Sequence, residues 1–238
     1  MNIAILTAGG IGSRTHQDLP KQFITVENKP IIIYTLEAFQ CHPNIDEIYV
    51  ACLDGWTSIL DAYARQFNIT KLKGIVVGGN TGQESIYNCL KAIYDNNKDL
   101  DNVVVIIHDG NRPMVSQDVI TDNLVKQKKF GSAVTAIPTT EVVFVSSDGI
   151  ESKEALNREE LWRTQTPHSY NFNELWNVHN QAIKDGVFNM AASCSLMQKY
   201  GYITYFSNGS EKNIKITTVE DIEIFKALLH SKKDNWIK

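Results

Sequence analysis

Short runs rich in β-branched residues alternate along this chain with longer amphipathic stretches, and that rhythm leaves few folds open. The candidate strands are Ile3–Leu6, Glu47–Cys52, Gly74–Val77, Val103–Ile107 and Ala133–Ile137. Between them Pro30–Phe39, Trp56–Gln66, Gly82–Tyr94 and Gln117–Lys129 read as helices, and Ile86, Leu90, Ile93 and Tyr94 share one face of the third. Strand–helix alternation predicts an α/β fold: a mostly parallel central sheet covered by helices on both faces, in one domain spanning residues 1–238. Such sheets bind ligands beyond the carboxyl ends of their strands.

After Ile137 the rhythm changes. TTEVVFVSSDGIES reads as two extended segments about an Asp148-Gly149 turn, followed by a polar, irregular piece. Residues Thr139–Pro167 are therefore either an arm leaving the sheet or an ordinary β-hairpin without a partner. Asn173–Lys184 and Ala191–Lys199 predict helices, Tyr202–Phe206 a strand, and Val219–His230 a final helix.

A net charge of −4 argues against a general nucleic-acid binder. No apolar run approaches the roughly 20 residues that span a bilayer. MNIAIL carries neither a basic n-region nor a long h-region, so no secretion signal is expected. Cys41, Cys52, Cys89 and Cys194 are scattered and form no CxxC pair, which predicts reduced thiols in a cytoplasmic protein rather than a zinc site or disulfide framework.

Four stretches can carry chemistry. The first follows the opening strand: in TAGGIGSRTHQDLPKQF, Ala8, Gly9, Gly10 and Gly12 let backbone N–H groups approach an anion, while Arg14 and Lys21 supply a fork and a point charge for phosphate. The spacing matches neither GxGxxG nor GxxxxGK[ST]. In IIHDGNRP, Asp109 falls at a strand end, where it can touch substrate or bind Mg²⁺; Arg112 either braces the loop or meets ligand, and His108 reads as structural. VVGGNTGQES offers Gly79, Asn80 and Ser85 as readers of a base edge. In NIKITTVED, Lys215 sits in an apolar strand and points away from its neighbours, while Thr218 and Asp221 form a capping-box variant.

These stretches, with RTQTP, occur in the order found in the cytidylyltransferases that act on polyol phosphates, and the chain resembles that family over nearly its whole length. The resemblance implies a nucleotide-diphospho-sugar-transferase-like (Rossmann-like) fold, a homodimer, and CTP with Mg²⁺. It implies attack of the substrate phosphate on the α-phosphorus of CTP, with Arg14, Lys21 and Lys215 neutralising charge. By the same resemblance Gly79, Asn80 and Ser85 face cytosine, Asp109 lies near substrate and metal, and residues 139–167 form a dimer arm. Arg158 maps to an arginine that reaches the substrate phosphate of the other subunit.

The chain departs from the family's pattern at several places. Gly110-Asn111 replace the usual middle of HDAxRP, and Gly82 replaces an arginine. Glu141 stands where the arm often has threonine, and Ala191-Ala192 where a threonine–aspartate pair faces the substrate. AGGIGSR and Cys194 look more like the ribitol-5-phosphate branch, with an alditol phosphate of surface-polysaccharide synthesis as acceptor, than the 2-C-methyl-D-erythritol 4-phosphate branch of isoprenoid synthesis. Two other classes compete: a CTP-binding homologue without turnover, and a glycosyltransferase, for which no DxD motif stands near a strand end.

Overall fold

The computed structural model describes residues 1–10 and 19–233. The chain opens with β1 (Asn2–Ala8) and, after a short 3-10 turn at Lys21–Phe23, a small hairpin of β2 (Thr25–Val26) and β3 (Lys29–Pro30). Glu27 and Asn28 both have positive φ between these strands, as a tight primed turn requires. Then come α1 (Ile31–Gln40), β4 (Glu47–Cys52), α2 (Thr57–Gln66), β5 (Leu72–Val77), α3 (Gly82–Asn96), β6 (Val104–Asp109), α4 (Gln117–Phe130) and β7 (Ser132–Pro138). A short ladder of β8 (Phe144–Val145) and β9 (Glu154–Ala155) precedes β10 (Trp162–Asn171), α5 (Phe172–Lys184), α6 (Ser193–Lys199), β11 (Phe206–Asn208) and α7 (Val219–Lys233).

The main sheet has seven strands in the order β11-β7-β10-β6-β1-β4-β5. β1 pairs in parallel with both β4 and β6, β4 with β5, and β7 with β11; β10 runs antiparallel to β6 and β7. The mostly parallel α/β sheet expected from the strand–helix rhythm is thus present. Its inner strands alternate between two cores: Ile3 and Ile5 pack toward α3, α5 and α6, while Ala4 and Leu6 pack toward α1, α2 and α4. Burial on both faces is why these strands read as continuous apolar runs. A third cluster, including Met114, Ile216 and Phe225, seats α7.

Several boundaries differ from the sequence expectation. The sixth strand continues to Asp109, which pairs with Thr7 in register, rather than ending at Ile107. The stretch ending at Pro167 is not all excursion: residues from Trp162 onward belong to β10, so the protruding part ends near Leu161. Arg163, Thr164, Gln165 and Thr166 show no apolar alternation, so the sequence carries no strand signal there. The Asp148-Gly149 turn is present, set in a longer loop: residues 146–153 connect β8 and β9, with Asp148 Oδ1 accepting from the Ile150 N–H at 2.9 Å. The predicted strand at Tyr202–Phe206 lies later, at Phe206–Asn208, and the helix predicted from Ala191 begins at Ser193. Lys215 lies on no strand of any sheet; the Ile216 N–H instead donates to the Asn111 carbonyl at 2.9 Å.

The polar interior of β10 is organised by Asn123 of α4, which is fully buried. Its Nδ2 donates to the Pro167 carbonyl at 3.0 Å and to Ser207 Oγ at 2.8 Å, and its Oδ1 accepts from Ser169. These bonds tie α4 to β10 and β11 at the point where the β10–β7 register shifts between Thr164 and His168. Asn123→Leu should destabilise the fold by about 3 kcal/mol, because several buried polar groups lose partners together. Urea unfolding of the variant should show a lowered midpoint with an unchanged m-value.

Candidate active site

A cavity of about 440 Å³ opens beyond the carboxyl ends of β1 and β6. The opening loop forms one wall. Gln22, only 2% exposed, fixes it: its Nε2 donates to the Ala8 carbonyl at 2.7 Å and to Gly10 at 3.2 Å. Ala8, Gly9, Gly10 and Lys21 all line the cavity. Gly12 and Arg14 lie outside the described residues.

The loop after β5 meets the opening loop backbone to backbone. A Cβ on Gly78 would stand 3.1 Å from the Gly9 Cα and 3.3 Å from the Cys52 carbonyl. Gly79 is needed for a different reason, since a Cβ there would fall 2.4 Å from Glu84 Cβ. That proximity lets Glu84 turn back to accept the Asn80 N–H at 2.7 Å, while Ser85 Oγ accepts the Gly79 N–H at 3.0 Å and donates to the Thr81 carbonyl at 2.9 Å. These backbone donors serve the loop itself, so Ser85 shapes the wall that Gly79 and Asn80 present. Thr81 caps α3 by accepting the Glu84 N–H.

The charged centre is Asp109 at the end of β6. Its Oδ2 accepts from Arg112 Nε at 2.8 Å and its Oδ1 from Lys215 Nζ at 3.0 Å. Its backbone N–H donates to Thr166 Oγ1 at 3.0 Å. Burial alone would raise the Asp109 carboxyl, but the Lys215 ammonium and the Arg112 guanidinium overcome it and hold the group well below the ordinary carboxylate range. Arg112 therefore does brace the loop, and Nη1 extends the brace by donating to the Asn213 carbonyl at 2.8 Å. Lys215 does point away from Ile216, which is buried, and into the cavity. His108 is buried, and desolvation pushes its pKa down to about 3, in keeping with a structural neutral imidazole.

Glu141 and Arg158 are not brought to this cavity in the same chain. Both are exposed on the arm, where Arg158 Nη1 donates to the Thr140 carbonyl at 3.1 Å. Glu211, four residues before Lys215, pairs with Arg163 at 2.9 Å. Ala191 and Ala192 do line the cavity.

Gln22, Gln83, Gln165 and Thr166 are site-building residues that sequence reading missed. Each works through side-chain hydrogen bonds to the backbone or a backbone N–H, for which a single sequence carries no periodic signal. The adjoining glutamines in LPKQF and RTQTP were the available hint.

Among the described residues no group of three or more His, Cys, Asp or Glu side chains is arranged to hold a metal. Among the described residues Asp109 is the one carboxylate that lines the cavity, and its oxygens each retain a lone pair beyond their ion pair. That set fits Mg²⁺ only as it is commonly bound by nucleotide enzymes, through one carboxylate together with substrate phosphates and water.

The family model for IspD, 2-C-methyl-D-erythritol 4-phosphate cytidylyltransferase, matches residues 2–231. The chain belongs to this cytidylyltransferase family. It is accordingly a nucleotidyltransferase. It is 40% identical over 235 residues to a ribitol-5-phosphate cytidylyltransferase of Lacticaseibacillus paracasei, covering 98% of this chain and 100% of that one. A 2-C-methyl-D-erythritol 4-phosphate cytidylyltransferase of Clostridium tetani is 38% identical over 93% of this chain and 87% of its own. Among solved structures, the 2-C-methyl-D-erythritol 4-phosphate cytidylyltransferase of Francisella tularensis superposes with a TM-score of 0.79 at 28% identity, covering 95% of this chain and 98% of that one. The Anaerococcus prevotii 4-diphosphocytidyl-2C-methyl-D-erythritol synthase shares the fold, with a TM-score of 0.81, 24% identity and 96% of each chain covered.

Gly79 and Gly82 of this cytidylyltransferase can be told apart by substitution. Gly79→Ala should lower stability by about 1–3 kcal/mol, because Glu84 Cβ cannot yield as a flexible tip would. Gly82→Ala should be neutral or slightly stabilising, since nothing lies within 4 Å of the added carbon and the site is in a helix. Thermal melts of the two variants check this contrast.

Proposed function

We propose that this enzyme transfers CMP from CTP to ribitol-5-phosphate with release of pyrophosphate. The observation that carries the chemistry is the cavity itself, where Lys21 and the Asp109–Lys215 pair converge beyond the strand ends. A phosphate oxygen of the acceptor attacks the α-phosphorus of CTP. One P–O bond forms, the bond from the α-phosphorus to the bridging oxygen breaks, and the electron pair leaves with pyrophosphate. Such transfer calls for placement and charge neutralisation rather than a covalent intermediate.

In this reading Gly9 and Gly10 cradle the triphosphate and Arg14 and Lys21 meet its charge. Lys215 has three N–H donors, so it can keep Asp109 while donating to the α-phosphate. Asp109 thereby sets where that ammonium sits. Asp109 is also the residue that would hold Mg²⁺, which when bound neutralises phosphate charge. Gly79, Asn80 and Ser85 form the wall against which cytosine rests. The arm mediates a homodimer, a role supported by the exposed Val142, Phe144 and Ile150 on it, and Glu141 and Arg158 reach the partner's acceptor site.

The choice of acceptor rests on relatives named ribitol-5-phosphate cytidylyltransferases, which are 36–40% identical over nearly the full chain. The Clostridium tetani relative supports a second reading, with 2-C-methyl-D-erythritol 4-phosphate as acceptor in isoprenoid synthesis. Pyrophosphate release with CTP and Mg²⁺ should be compared across ribitol-5-phosphate, 2-C-methyl-D-erythritol 4-phosphate, glycerol-3-phosphate and arabinitol phosphate. The expected outcome is a kcat/KM for ribitol-5-phosphate at least about tenfold above the rest. Preference for the methylerythritol substrate would favour the second reading. CTP binding without release for any acceptor would instead indicate a non-catalytic homologue.

A further inference from the structure

The lining of the cavity also includes residues that the phosphate chemistry does not use. His179, on α5, is one of them and is 1% exposed. Its Nε2 is buried with no hydrogen-bond partner among the described residues. Burial pushes its pKa down to about 4, so the ring is neutral at neutral pH and offers one donor and one acceptor nitrogen. A buried polar atom without a partner is destabilising, and a ligand hydroxyl that reaches it removes that penalty.

The surroundings point to the same ligand chemistry. His168 Nε2 lies 2.8 Å from the Gln165 carbonyl, which can only accept, so that nitrogen carries the proton. His168 is itself neutral, its pKa pushed by burial to about 4, so its Nδ1 accepts from Ser193 Oγ at 2.8 Å. Ser193, which also lines the cavity, is left with accepting capacity only. Ala191 and Ala192 leave room beside it, and Ile86 and Leu196 supply apolar surface. None of these side chains is itself charged, which suits neutral hydroxyl groups rather than phosphate.

This lining is held rigidly. Gln83 Nε2 donates to the Val187 carbonyl at 2.7 Å, and its Oε1 accepts the Met190 N–H at 3.0 Å. Thr81 Oγ1 donates to the Phe188 carbonyl at 2.8 Å. The first turn of α3 thus fixes the segment leading to Ala191 and Ser193.

We infer that His179, which lines the same cavity as Ser193, binds the hydroxyl of the acceptor polyol farthest from its phosphate and so reads the acceptor's chain length. The inference rests on the proposed transfer to a polyol phosphate. His179 is an acceptor-binding residue, with no part in the chemistry at phosphorus.

The test compares His179→Leu with wild-type enzyme on ribitol-5-phosphate and on 1-deoxyribitol 5-phosphate, which lacks the terminal hydroxyl. kcat/KM for ribitol-5-phosphate should fall about tenfold or more, the value expected for one buried hydrogen bond. The variant should handle the deoxy acceptor as wild type does, with the KM for CTP within about twofold. His179→Gln, which keeps a polar reach, should restore part of the loss and guards against a folding defect in the leucine variant. Equal losses on both acceptors, or no loss on either, would overturn the inference while leaving the transferase reading intact. Wild-type enzyme inactive with every polyol phosphate would overturn the transferase reading, and this subsite with it.

Discussion

The functional end of the molecule depends on one carboxylate. Asp109 closes β6 and holds Arg112 and Lys215, residues that reach it from a loop and from the C-terminal segment. Two backbone links reinforce the clip: Asn111 Nδ2 donates to the Ile216 carbonyl, and the Ile216 N–H returns to Asn111. Without the carboxylate, two cations would face each other in a half-buried place, which is costly. With it, an ammonium stands at the cavity mouth in a fixed position before any ligand arrives. Preorganised charge of this kind needs little rearrangement when a phosphate reacts.

Much of the scaffold was legible because burial leaves a periodic trace. Strands such as Ile3–Leu6 and Val104–Ile107 are covered on both faces and read as unbroken apolar runs. β10 left no such trace, since Asn123, Thr135, Ser169 and Ser207 satisfy its interior through hydrogen bonds. The isoleucines that flank Lys215 predict a strand, but they pack with α7 in a segment clipped to Asn111.

The candidate site was legible to the extent that its residues carry charge or are glycine. Lys21, Asp109, Arg112 and Lys215 do converge on one cavity. The sequence offers Gly79 as a reader of a base edge, and the structure adds that Glu84 is what excludes a side chain there. The amide side chains of Gln22 and Gln83, which decide where the walls stand, have no pattern that a single sequence displays. Through Gln83 and Thr81 the Gly79–Asn80 loop and the segment leading to Ala191 share one helix turn, so both walls are positioned by the same element.

The central claim is that Lys215, set by Asp109, neutralises charge that grows on the α-phosphate during transfer. Its most direct test is the steady-state turnover of Lys215→Ala with saturating CTP, Mg²⁺ and ribitol-5-phosphate. A fall in kcat of about a hundredfold or more, with the KM for CTP changed less than about threefold, is the predicted result. Unchanged kcat would contradict it, and would mean that the ammonium serves the fold of the C-terminal segment rather than the reaction.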